Sequence, residues 1–219
     1  MKHVVIGTLA HVDAGKTTLS ESMLYLSGSI RKLGRVDHGD AFLDYDKQER
    51  SRGITIFSKQ AICQWKDNEF TLLDTPGHVD FSSEMERTLQ ILDYAILIIN
   101  GVDGVQTHTE TIWKLLEHYQ IPVFIFINKM DTAYLTKEEL LTELRKRLDE
   151  RCIDFTASSD EMMEQAAMCD DELLEDYMEH TIIDKSLLSA KIQERKVFPC
   201  YFGSALKRQG IETFLDGLS

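Results

Sequence analysis

The stretch Ala10-His11-Val12-Asp13-Ala14-Gly15-Lys16-Thr17 constrains this chain more than any other. It follows an apolar run, Val4–Leu9, and opens a segment with helical spacing, Lys16–Ser27. A loop ending in Gly-Lys-Thr between a strand and a helix is a P-loop setting, in which backbone N–H groups and a helix N-terminus wrap around phosphates. Gly15 lets the backbone approach an anion closely. Lys16 reaches the β- and γ-phosphates of a nucleotide, and the Thr17 hydroxyl ligates Mg²⁺. The first position holds Ala10 where Gly is usual, which is tolerated if the backbone there avoids positive φ.

Strand and helix patterns alternate along the rest of the chain. Phe70–Leu73, Ala95–Ile99 and Val123–Ile127 are continuous apolar runs, as in strands buried on both faces of a parallel sheet. Phe81–Leu92 and Thr107–Tyr119 have helical spacing, and in the second Ile112, Leu115, Leu116 and Tyr119 share one face. Ile54–Trp65 reads as an additional strand, with Lys66–Glu69 as the polar turn of an antiparallel hairpin. The predicted fold is therefore α/β: one P-loop NTPase domain over residues 1–219, with a mostly parallel, doubly wound sheet and an antiparallel edge hairpin. Residues 132–196 are acid-rich and read as a helical insertion, with no strong strand in Ser158–Lys191. Strand character returns at Val197–Gly203, and a last helix is predicted at Ile211–Leu218.

Charge narrows the function classes. Lys and Arg number 24 against 37 Asp and Glu, a formal net charge of −13. Binding to a nucleic-acid backbone rests on cationic side chains, so this balance argues against a general phosphate-backbone binder. The longest apolar runs are too short to span a bilayer, and no signal peptide is read at the N-terminus. The expected setting is the cytoplasm, without membrane contact. Cys63, Cys152, Cys169 and Cys200 lack metal-ligand spacing and read as free thiols.

Three further elements close predicted strands. In Asp74-Thr75-Pro76-Gly77 the carboxylate can join a Mg²⁺ shell and the Gly77 N–H can meet a γ-phosphate. In Asn128-Lys129-Met130-Asp131 the Asp131 carboxylate can accept from guanine N1–H and the 2-amino group. Adenine offers neither donor there and would leave the carboxylate unpaired, which opposes an ATPase. Asn128 can tie the base loop to the P-loop, and the Lys129 stem can lie on the purine. Gly203-Ser204-Ala205 can direct backbone N–H groups at guanine O6. All four elements end strands, where open α/β sheets bind ligands. The chain reads as a guanine-nucleotide-binding domain. A nucleotide-gated switch with little hydrolysis is the alternative.

These residues resemble the translational GTPase family. Ala10–Thr17 resembles its P-loop, Arg52-Gly53-Ile54-Thr55-Ile56 its first switch, and Asp74–Phe81 its second. The opening Ile6–Leu19, which includes Thr18, is most similar to the elongation factor G branch, as are Ser27–Ile30 and Gly34–Asp37. Within that branch it looks most like the tetracycline-resistance ribosomal protection proteins.

The resemblance implies GTP and GDP as ligands, Mg²⁺ as cofactor, and the ribosome as partner of the full-length protein. It assigns Thr55 to Mg²⁺ and to the γ-phosphate or attacking water, and His78 to orienting that water. Val12 and Ile54 would form an apolar gate around His78. Asp13 would help hold a monovalent cation, and Leu206 or Lys207 would pack on the base. Gly34–Thr55 is expected to order only with a γ-phosphate bound. An isolated domain of this kind is expected to be monomeric and very slow in hydrolysis. Further domains are expected downstream of Ser219.

Overall fold

Seven strands and eight helices are found among the residues described by the computed structural model, 2–32, 34, 59–75 and 82–219. The strands are β1 (Lys2–Ala10), β2 (Lys59–Trp65), β3 (Asn68–Asp74), β4 (Tyr94–Asn100), β5 (Val123–Asn128), β6 (Cys152–Asp154) and β7 (Phe198–Phe202). They form one sheet in the order β2-β3-β1-β4-β5-β7-β6, parallel throughout except for the antiparallel pair β2–β3. The expected fold class is the observed one.

The helices are α1 (Lys16–Leu26), α2 (Ser82–Leu89), α3 (Thr107–His118), α4 (Lys137–Arg147), α5 (Ser159–Ala167), α6 (Asp171–His180), α7 (Lys185–Gln193) and α8 (Ile211–Leu218). The runs Ala95–Ile99 of β4 and Val123–Ile127 of β5 are apolar at every position because both faces are covered. On one face Ile96, Ile98, Phe124 and Phe126 pack with Leu19 and Met23 of α1 and Phe214 of α8. On the other, Leu97, Ile99, Ile125 and Ile127 pack with Trp113 and Leu116 of α3 and Leu140 and Leu144 of α4.

Local chemistry sets several boundaries. Thr136 starts α4 with a capping box: its hydroxyl accepts from Glu139 N at 3.2 Å, and Glu139 Oε2 accepts from Thr136 N at 2.8 Å. Asp184 caps α7 by accepting from Ser186 N and Leu187 N, and hydrogen bonds led by Ser186 hold its carboxyl below the usual range. Lys191 Nζ, nearly buried, joins α6 to α7 through Glu172 at 2.9 Å and Asp170 at 3.2 Å.

The structure also departs from expectation. Asn68 and Glu69 pair with Trp65 and Gln64, so the hairpin turns over Lys66-Asp67 alone, with Lys66 at φ 52°. The helix expected over Phe81–Leu92 ends at Leu89. The buried centre of α3 is Ile112, Trp113 and Leu116, while Leu115 and Tyr119 are half-buried at its margin. Residues 132–196 hold a strand, β6, which pairs with β7 at the sheet edge, in addition to helices α4–α7. The first part of the strand expected over Ile54–Trp65, residues 54–58, lies outside the described residues. No helix among the described residues is long and apolar enough to cross a membrane.

Candidate functional site

The carboxyl ends of β1, β3, β5 and β7 lie along one edge of the sheet, and the described residues of the four sequence elements sit there. Parallel register sets their heights: Thr8 pairs with Asp74, Asn100 with Asn128, and Ile127 with Phe202.

The loop after β1 folds back on itself before α1. Ala14 N donates to His11 O at 3.2 Å. Asp13 takes φ 62° and Gly15 φ 91°. The left-handed region is unfavourable for most side chains but accessible to Asp and open to Gly. A Cβ on Gly15 would also stand 2.3 Å from Asn128 Nδ2, so this glycine is required twice over. Ala10 lies in β1, is 1% exposed and is absent from the positive-φ positions, which meets the condition its substitution for Gly requires. Gly15 is the N-cap of α1, no side chain caps the helix, and no acidic residue stands in its first turn. Its leading N–H groups and dipole therefore favour an anion.

Lys16 and Asp74 lie beneath this loop, and both are buried. Lys16 Nζ donates to Asp74 Oδ1 at 2.5 Å. Thr8 Oγ1 donates to the same oxygen at 3.1 Å, and Thr75 Oγ1 donates to Thr8 O at 2.6 Å. Thr17 and Thr18 are half-buried in the first turn of α1. Among the described residues no group of three or more His, Cys, Asp or Glu could hold a metal ion. The Thr17 hydroxyl and the Asp74 carboxylate still suit Mg²⁺, which takes one or two protein oxygens and fills its octahedron with water and phosphate.

Asn128, 2% exposed, links three segments. Its Nδ2 donates to Ala14 O at 2.9 Å, and its Oδ1 accepts from Ala205 N at 2.8 Å. Met130 N donates to Gly203 O at 3.0 Å, and Gly101 N donates to Asn128 O at 2.8 Å. Ser22 Oγ, on α1, donates to Ala205 O at 2.8 Å. Gly203 admits the returning chain, since a Cβ there would stand 2.3 Å from Gln209 O. Ser204 Oγ accepts from Lys207 N at 3.3 Å. These bonds hold the P-loop, the 128–131 loop and the 203–205 loop as one frame. Lys129 sits at φ 62° and is half-buried, and Asp131 is exposed above that frame. The arrangement offers an anion cradle at one end and an unburied carboxylate at the other.

The other expected residues are found in varied surroundings or lie outside the described residues. Leu206 is 48% exposed, and Asp13 is exposed. His11 packs edge-on against His108 of α3, with ring centroids 5.8 Å apart. Val12 is half-buried. Ile54, Thr55, Pro76, Gly77 and His78, with most of Gly34–Thr55, lie outside the described residues. Sequence reasoning missed Thr8, Ser22 and Gly101. Thr8 had a signal, a hydroxyl inside an apolar strand. The other two act through hydrogen bonds that no local pattern announces.

Residues 1–219 match the family described as elongation factor Tu GTP binding domain. The chain is 33% identical to elongation factor G 2 of Geobacter metallireducens, covering 98% of this chain and 38% of that protein. It is 36% identical to tetracycline resistance protein TetP of Clostridium perfringens, covering 100% of this chain and 37% of that protein. A crystal structure of a Thermus thermophilus protein superposes with a TM-score of 0.86 at 22% identity, covering 98% of this chain and 39% of that one, which shows a shared fold. The chain thus spans under two fifths of the length of these relatives.

Proposed function

Because the chain belongs to the elongation factor Tu GTP-binding domain family, we propose that it binds GTP and GDP with Mg²⁺ and hydrolyses GTP as part of a ribosome-associated factor. The observation that carries this reading is the frame built on Asn128, which ties Ala14 of the phosphate loop to Ala205 of the 203–205 loop. A nucleotide laid across that frame has its phosphates at the α1 N-terminus and its base beside Asp131 and Lys129.

The roles follow from chemistry. The leading N–H groups of α1 take phosphate oxygens. Lys16 leaves Asp74 for the β- and γ-phosphates, and its charge offsets the charge that develops on the transferred phosphoryl group. Thr17 and Asp74, with Thr55, would hold Mg²⁺, which would supply positive charge to offset that of the phosphates. Asp131 selects guanine, and Gly203–Ala205 face its O6. Gly77 meets the γ-phosphate, while His78 aligns the attacking water. The roles of Thr55, Gly77 and His78 rest on the motif resemblance. The same resemblance supports work in the cytoplasm and stimulation by the ribosome. Relatives named elongation factor G and tetracycline resistance protein bracket the physiological possibilities.

His78 gives the test of hydrolysis. A group that orients water contributes in the transition state and leaves ground-state binding alone. His78→Ala is expected to keep GTP and GDP affinities within about twofold. Ribosome-stimulated turnover is expected to fall about 10²-fold or more, the scale of other positioning and charge-stabilising groups. Single-turnover hydrolysis by the whole protein, with and without ribosomes, reads both quantities. Parent-level turnover in the variant, or a tenfold loss of nucleotide affinity, removes His78 from the catalytic role.

A further inference from the structure

Thr8 stands inside the apolar run of β1 with its side chain fully buried. Valine has the same shape and would suit that environment better, because a buried hydroxyl costs free energy unless it is hydrogen-bonded. The Thr8 hydroxyl has two acceptors in reach, Leu73 O at 3.3 Å and Asp74 Oδ1 at 3.1 Å. The carboxylate is the nearer, and bonds to an ionised acceptor are the stronger kind. Asp74 Oδ1 is therefore held from two sides: by Lys16 Nζ at 2.5 Å, on a flexible four-carbon stem, and by Thr8, whose place is set by the β1–β3 register.

These two donors differ in what a nucleotide does to them. Phosphate oxygens compete with Asp74 for the Lys16 ammonium. The Thr8 hydroxyl is a buried neutral donor with its acceptors on β3, and phosphate oxygens do not draw it away. We propose that Thr8 is a positioning residue for the magnesium site, fixing the rotation of the Asp74 carboxylate once Lys16 has turned to the phosphates. The inference rests on the reading of the site as a Mg²⁺–nucleotide site. Donors that fix a ligating carboxylate typically change metal affinity about 10- to 100-fold when lost.

The test is the Mg²⁺ concentration that half-saturates the enhancement of GDP binding, followed with a fluorescent GDP in chelator-buffered Mg²⁺. Thr8→Val removes the hydroxyl and keeps the shape, and Thr8→Ser keeps the hydroxyl and removes a methyl. Thr8→Val is expected to raise the half-saturating Mg²⁺ about tenfold. Thr8→Ser is expected to stay within about twofold of the parent, and GDP affinity in excess chelator should be unchanged in both. Thermal melting without nucleotide reports packing separately. A parent-like Mg²⁺ curve for Thr8→Val overturns the inference and leaves the nucleotide reading standing. Equal shifts in both variants also overturn it, because packing would then be the cause. If the parent itself binds GDP identically with and without Mg²⁺, the nucleotide–metal reading fails and the inference falls with it.

Discussion

Asp131→Asn is expected to weaken GTP and GDP by about 2–5 kcal/mol, the cost of truncating one partner of a charge-assisted, desolvated hydrogen-bonded pair. Guanine presents two donors, N1–H and the 2-amino group, and only a carboxylate accepts both. An asparagine amide presents one acceptor and one donor. Xanthine carries a carbonyl where guanine has the 2-amino group, so preference is expected to move toward xanthine nucleotides. Asp131 is exposed, and substitution there should leave the melting temperature measured without nucleotide unchanged. Titration calorimetry with GDP and xanthosine diphosphate measures the exchange directly. Unchanged GDP affinity would place the base away from Asp131.

Lys16→Ala is expected to act on both binding and stability. It removes the cation that meets the β- and γ-phosphates, with a loss of triphosphate affinity of about 10²-fold or more. It also strips the buried Asp74 carboxylate of a cation held at 2.5 Å. Breaking a buried pair by removing one partner typically costs about 3–5 kcal/mol, since the remaining charge stays out of water. For a domain of this size that lowers the melting temperature by about 10 °C. Adding Asp74→Asn removes the stranded charge and should restore most of the stability without restoring affinity. Scanning calorimetry of the single and double variants separates the two effects. A double variant no more stable than Lys16→Ala would show that the pair is not what Lys16 contributes to the fold.

Asp131 and Lys16 stood out in the sequence because each belongs to a motif whose spacing carries its own chemistry, and both lie in loops or helix starts that follow strands of the sheet. The core strands were legible for a related reason. Val123–Ile127 is apolar at every position only because helices cover both faces of the sheet. Short elements were harder to read. Strand β6 has three residues, Cys152-Ile153-Asp154, and exists by pairing with β7, so no periodicity announces it. The hairpin turn was read too long because Asn68 and Glu69 are polar, yet their backbones complete the ladder with Trp65 and Gln64. Residues that support the site from outside the motifs stayed hidden. Thr8 and Ser22 act on Asp74 and Ala205, 66 and 183 positions away along the chain. Such contacts are properties of the folded sheet edge, and a local pattern does not carry them.

The central claim is that the frame joining Ala14, Asn128 and Ala205 holds a guanine nucleotide. Titration calorimetry of this chain with GDP and ADP, each in the presence of Mg²⁺, tests it most directly. A site built to accept from guanine N1–H and its 2-amino group rejects a base lacking those donors by about 10⁴-fold. The account predicts tight GDP binding and no measurable ADP binding at the same concentrations. Equal affinity for the two nucleotides would contradict it.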